Sequence, residues 1–534
     1  MSSATAIATP TGHPRRWWVL SVMVLCLLVV VLENTILNVA LKVLADPEQG
    51  LAASQAELEW AVNSYTLAFA GFLFMFGVLG DRFGRRRMLQ FGLLVFLVAS
   101  VASAYAQDPL QLILARAAKG LGAAAIMPAT LSIISHVFHP AERGRAIGIW
   151  SGAVGIAVAI GPVTGGVLLE YFWWGSIFLI NVPVVLLSMG LTALLVPESR
   201  DPTPSGLDLP GVLLSVVALG ALVYGIVNGG EHGFDRPEPW LWVGGGLLGL
   251  AVFVWWERRA RHPSLDVRLF RDPRFATAVG VTALIFFAAL GVFFFVAFYL
   301  QLVRGYSPLA TGLLLLPFAL AQIVFAPRSV LLVQRYGAKR ICAIGLSLTT
   351  VSLLVWTVFD EHTPIWVVAA SFFVQGAGMA HVMPPAMEAI LACMPRERAG
   401  VGSAVANTAR QVGGALGIAV LGSLIMAVYR AEITPALSGL PDPVRSEAAE
   451  SIAAAYAVAT RLELPDLPGL ADHAFVTAMH LAAAASTVVA VVSVLVVLRW
   501  LPGRPDTAAG APRPRAGRRP RARRLARAAA DRMP

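Results

Sequence analysis

The apolar positions of this chain fall in long blocks, each closed by a short polar segment. About 20 mostly apolar residues let a helix cross the hydrocarbon core of a bilayer. By that measure the pattern predicts fourteen spanning helices: 17–41, 58–80, 88–105, 111–134, 146–168, 177–196, 208–228, 240–257, 276–302, 309–333, 341–359, 365–391, 399–428 and 474–501. An even number of spans puts both termini on one side. The first span follows Arg15-Arg16, runs for about 25 residues, and has no small-residue cleavage site after it, so it reads as a retained helix rather than a signal peptide.

Composition supports an all-α membrane protein. The 534 residues are 57% hydrophobic and 13% charged, with a mean hydropathy of +0.72. A soluble domain carries about 25% charged residues, and this chain has too few polar groups to cover a water-facing surface. Cys26, Cys342 and Cys393 are far apart and show no metal-ligand spacing. They are expected to be inert thiols, outside any disulfide framework or zinc site.

Charge placement fixes the expected sidedness. Loops on one side hold six basic residues, Lys42, Arg236, Arg304, Arg430, Arg445 and Arg461, while the opposite loops and both termini hold 31. Four more, Arg116, Lys119, Arg328 and Arg410, fall within spans. Basic loops stay cytoplasmic, so both termini are expected in the cytoplasm. Of the formal net charge of +10, residues 503–534 supply +8 through ten arginines and two aspartates. That Pro/Ala/Arg-rich tail is expected to be disordered and to face anionic lipid rather than nucleic acid.

An internal repeat organises the spans. Asp81-Arg82-Phe83-Gly84-Arg85-Arg86-Arg87 is echoed 253 residues later by Gln334-Arg335-Tyr336-Gly337-Ala338-Lys339-Arg340. Pro140-Ala141-Glu142-Arg143 is echoed 255 residues later by Pro395-Arg396-Glu397-Arg398. Both copies face the same side, which predicts two parallel six-helix halves with substrate bound between them. The expected division is a 1–16 terminus, a 17–200 half, an inserted pair at 201–262, a 263–502 half containing a long outer loop at 430–473, and the 503–534 tail. The loop stretch Ser446 to Glu463 reads as a surface helix in a solvated loop.

The residues from Gly77 to Arg87 (Gly77, Gly80, Asp81, Arg82, Gly84, Arg85, Arg86) resemble the loop 2–3 motif of the major facilitator superfamily, with glycines for close helix approach. Gly148, Gly161, Pro162, Gly165 and Gly166 resemble its antiporter motif, with Ala157 at one usual glycine position. Leu32-Glu33-Asn34-Thr35 through Asn38 resembles the first-helix motif of its fourteen-helix drug:H+ antiporter branch, with glutamate where aspartate is usual. Arg116 to Gly122 resembles the fourth-helix motif, with Lys119 where glutamine is common. The resemblance covers roughly 15–502. It implies the major facilitator fold, a gating latch from Asp81 to the other half, and a role for Arg116 in proton coupling.

Glu33 lies about 16 residues into its span, roughly 24 Å along it. A charge at that depth costs about 2.5–3.5 kcal/mol on insertion scales, and low dielectric favours a neutral carboxylic acid. Those are the properties of a proton carrier. Arg116 and Lys119, at i and i+3, need neutralising, and Glu33 is the expected partner. Asn34 completes the coupling set; Tyr65, Asn38, Gln301, Arg410 and Glu388 are weaker candidates, while Asn181, His381 and His480 read as structural. The three lysines include no GK[ST] sequence, which excludes an ATP-driven P-loop pump. No catalytic constellation points to an enzyme. The expectation is a monomeric, proton-driven exporter of hydrophobic or amphipathic small molecules from a bacterial cytoplasm, without a cofactor. The rival readings are a dedicated metabolite exporter and a non-transporting receptor or scaffold.

Overall fold

The computed structural model describes residues 13–200, 206, 208–261, 263, 265–393 and 399–501. The repeat copy at 395–398 and the basic tail lie outside the described residues, as do the side chain of Asn34 and the surroundings of Gly148. Eighteen α-helices are found among the described residues: α1 (Arg16–Ala45), α2 (Gln55–Phe83), α3 (Arg85–Ala104), α4 (Pro109–Val137), α5 (Pro140–Tyr171), α6 (Ser176–Leu179), α7 (Asn181–Leu195), α8 (Leu209–His232), α9 (Pro237–Glu257), α10 (Pro273–Phe298), α11 (Pro308–Leu314), α12 (Leu316–Tyr336), α13 (Ala338–Val355), α14 (Ile365–Ala392), α15 (Ala399–Ile433), α16 (Asp442–Ala448), α17 (Ile452–Leu462) and α18 (Leu467–Trp500). No strand occurs among them. Among the described residues thirteen segments are long and apolar enough to cross a membrane. The span expected at 146–168 falls on α5, a 32-residue helix, which brings the number to fourteen.

Local sequence explains where the helices start. Asp108, Asp208, Asp272 and Ser307 each cap a helix whose first turn contains proline, a residue whose missing N–H costs nothing there. Ser54 and Glu57 form a reciprocal capping box at the start of α2. Three expected spans are not single rods. The sixth breaks at Ile180 into α6 and α7, and the tenth breaks at Leu315 into α11 and α12. The ninth ends in a π-helical turn, Tyr299–Val303. Pro183 and Pro317 sit in the first turns after the two breaks, where they start a new helix rather than continue an old one.

α1–α7 pack on one another, and so do α10–α15 with α18. Between these groups sits α8, against α2 of the first and α15 of the second. α9 packs mainly on α8 and leaves Trp240, Leu241, Leu247, Leu248 and Trp255 exposed, as a lipid-facing helix does. Exposed tryptophans form two belts: Trp18, Trp255 and Trp500 on the face carrying the basic loops, and Trp173, Trp240 and Trp366 on the opposite face. That is the placement expected at two membrane–water interfaces. The two copies of the basic-loop motif also turn alike. Gly84 (φ 116°) ends α2 and Gly337 (φ 85°) ends α12, each leading at once into the next helix.

The face opposite the basic loops is shut. Gln301 Nε2 donates to Val39 O at 2.9 Å, and Lys42 Nζ donates to Gln301 O at 3.1 Å, joining α1 to the π-helical turn. α5 meets α11 so closely that a Cβ on Gly166 would lie 2.7 Å from Pro308 O, and one on Gly312 would lie 2.2 Å from Pro162 O. The loop after α15 was expected to be one solvated helix; it is two short helices that pack down. Ile452, Ala455, Val458 and Ala459 of α17 are buried. Tyr456 Oη donates to Asp472 Oδ1 at 2.9 Å, and Tyr429 Oη donates to Ala448 O at 3.2 Å. The physical reason is the apolar stripe of α17, which burial against α18 satisfies.

Candidate functional site

The charged centre of the molecule forms where α1, α4 and α7 meet. α1 carries Glu33 well inside its apolar length. α4 places Arg116 and Lys119 one turn apart, on one face. α7 starts at Asn181, immediately after the break at Ile180, so the break positions the amide. All four residues are buried. Glu33 Oε1 is ion-paired to Arg116 Nη1. Its other oxygen accepts from Lys119 Nζ at 2.6 Å and from Asn181 Nδ2 at 2.8 Å.

Further contacts hold the cations. The Arg116 guanidinium also donates from Nε to Ala61 O, and lies 5.1 Å from the centroid of the Tyr65 ring. Tyr65 Oη in turn donates to Val30 O at 3.4 Å. Lys119 Nζ sits between the rings of Phe178, 4.7 Å away, and Phe96, 5.1 Å away. Ring faces attract desolvated cations. Fully ionised, the cluster carries one excess positive charge. Burying such a set is tolerable only while every member stays paired.

This geometry ties the neutralisation of Arg116 and Lys119 to one carboxylate. Two cations and one amide converge on Glu33. A proton on Glu33 would abolish both ion pairs and leave Arg116 and Lys119 as two uncompensated cations, so the cluster would have to open. Asn181 was assigned only a helix-geometry role from sequence; it is part of the shell. Lys119 does not reach an interface.

The remaining sequence candidates distribute unevenly. Asp81 pairs with Arg85 of its own loop at 2.8 Å, while the segment 394–398 that precedes α15 in the other half lies outside the described residues. Glu198, beyond α7, ties down the loop: its Oε1 accepts from Arg86 N at 3.1 Å. The same carboxylate leaves no room for a Cβ on Gly84, which would lie 2.6 Å away. Arg82 rests against the ring of Phe83. Gly77 and Gly80 do not mark close helix approach, because a Cβ on either would meet its neighbour at 3.7 Å, an ordinary contact.

In α5, Gly161 and Gly165 seat Thr35 and Ile36 of α1. Arg410 is 5.6 Å from the Phe286 ring across α10 and α15. Asn38 is half-buried on α1, and Glu388 is exposed near the end of α14. His381 bonds to Ala377 O of its own helix at 2.7 Å, and His480 to Phe359 O at 2.5 Å, which are structural roles. Glu59 was not singled out from sequence. It is fully buried on α2, with no hydrogen-bond partner for either oxygen among the described residues.

Comparison with known proteins agrees with this fold. The profile of the Major Facilitator Superfamily matches residues 23–418. The multidrug resistance protein Stp of Mycobacterium tuberculosis (strain CDC 1551 / Oshkosh) is 35% identical over 488 residues, which cover 89% of this chain and 90% of that protein. The multidrug efflux pump LfrA of Mycolicibacterium smegmatis is 35% identical over 468 residues, covering 87% and 91%. The tetracenomycin C resistance and export protein of Streptomyces glaucescens is 32% identical over 503 residues, covering 92% and 93%. Among solved structures, an inward-facing, unoccupied bacterial homologue of the human lysosomal transporter Spinster superposes with a TM-score of 0.62 at 18% identity, covering 93% of this chain and 99% of that one.

Proposed function

We propose, because the chain belongs to the Major Facilitator Superfamily and is a transporter rather than an enzyme, that it exports hydrophobic or amphipathic small molecules in exchange for protons. The observation that carries this reading is the Glu33 cluster, a buried carboxylate whose ionised form is held by Arg116, Lys119 and Asn181. The relatives named for multidrug efflux and for tetracenomycin C export support the substrate class.

The basic face is the cytoplasmic face of a bacterial plasma membrane, both termini lie in the cytoplasm, and a single chain contains the whole path. In the state seen here the outer face is shut and Glu33 is paired with Arg116 and Lys119, which we read as the state after proton release to the cytoplasm. Substrate then enters from inside. Outward opening exposes the cluster to outside protons. Protonation of Glu33 frees Arg116 and Lys119, and re-forming their pairs on return to the inward state expels the proton. Glu33→Gln in inverted vesicles tests this. The variant is expected to insert normally and to lose efflux driven by an imposed pH gradient. Efflux at the wild-type rate would overturn the proposal.

A further inference from the structure

The inserted helix α8 creates an environment on the outer seam that the Glu33 cycle does not use. Glu59 and Asn63 lie one turn apart on α2, and both are completely buried. Among the described residues all four of their side-chain polar atoms lack a hydrogen-bond partner. Such groups are rare in proteins, because each loses its water without compensation. Glu59 points across the boundary between the two halves: a Cβ on Gly422 of α15 would lie 2.1 Å from its Oε1. Around it Ala56, Leu67, Val223, Val227, Ala415 and Ala419 form an apolar cluster contributed by α2, α8 and α15.

Among the described residues no charge compensates Glu59 in this state. Glu231 of α8 repels it, and His232 lies beside Glu231. On α15, Arg410 sits on the Phe286 ring and Arg430 acts on the loop acid Glu450. On α4, Arg116 and Lys119 are taken by Glu33. On α2 itself, Glu57 turns back to cap Ser54. An isolated buried carboxylate is so costly that the group neutralises instead.

We infer that Glu59 is a second proton-binding site, a gate on the outer seam: the seam closes only over the neutral acid, and opening it hydrates and ionises the group. This extends the alternating-access reading above and rests on it. A proton taken here comes from outside and returns there, so the site carries no net proton. It makes closure of the outer face depend on outside pH. The closed state binds the extra proton, so acid favours closure and alkali favours opening. Loading of the outside-facing transporter in acid would then be followed by closure.

Two measurements on the full chain in lipid nanodiscs decide the matter. Infrared spectra at neutral pH should show the C=O band of a buried neutral carboxylic acid in the wild type and lose it in Glu59→Gln. A band unchanged by the substitution would overturn the inference. Spin labels on Glu48→Cys and Glu432→Cys, with Cys393→Ser, would report the outer distance. In the wild type the closed population should fall severalfold from acid to alkaline pH, while Glu59→Gln should stay closed throughout. A wild-type distance that ignores pH, or a Glu59→Gln variant that keeps the wild-type profile, would refute the gate. Because Glu33 is intact in every sample, these outcomes are distinguishable from failure of the Glu33→Gln test.

Discussion

At the scale of single residues, the functional logic is one anion shared by two cations and an amide. Removing one partner of a buried pair costs about 3–5 kcal/mol. Arg116→Ala is therefore expected to lower the unfolding temperature of the purified protein sharply, and Arg116→Lys to recover little, since a lysine lacks the fork that serves both Glu33 and Ala61 O. Asn181→Ala removes one donor to the carboxylate. It should cost about 1 kcal/mol of stability and move the pH profile of efflux toward alkaline values, because the ionised form loses support. A stable variant with an unmoved profile would separate Asn181 from coupling. The meeting of Glu33 with Arg116 and Lys119 was legible in the sequence, since two intramembrane cations demand an anion. Asn181 and Glu59 were not. Asn181 enters the shell only through the break at Ile180, and Glu59, five residues into a helix that starts with a capping box, looks solvent-facing until α8 and α15 cover it.

At the scale of elements, hydropathy located all fourteen spans but not their breaks. A window of about 20 residues averages across a one-residue interruption, so Ile180, Leu315 and the turn Tyr299–Val303 were invisible to it. These breaks matter, because α11 is the short segment that meets α5 across the outer seam. Gly166→Leu would drive a side chain into Leu309 and Pro308. It is expected to spread the halves on the outer side, so cysteine labelling of outer-seam positions should rise severalfold. Unaltered labelling would show that this contact does not hold the seam. Gly84→Ala meets both a left-handed backbone, disfavoured by roughly 1–2 kcal/mol, and the Glu198 carboxylate. Thermal unfolding should register a loss of at least that size, partly restored in a Glu198→Ala background.

At the scale of the whole molecule, the repeat at offsets of 253 and 255 residues anticipated two similar halves, and the matching turns at Gly84 and Gly337 are its imprint on the backbone. Net charge told less about mechanism. It is concentrated in 503–534, so a chain ending at residue 502 is expected to export substrate at the wild-type rate, and a large loss in vesicle assays would give that tail a role in transport. The central claim concerns only the buried charges. Its most direct test is the number of protons released when a transported substrate is added to the purified, weakly buffered full chain at mildly acid pH. The account predicts proton release by the wild type, saturating with substrate, and none from Glu33→Gln that still binds the same substrate. Equal proton release from both proteins would contradict it.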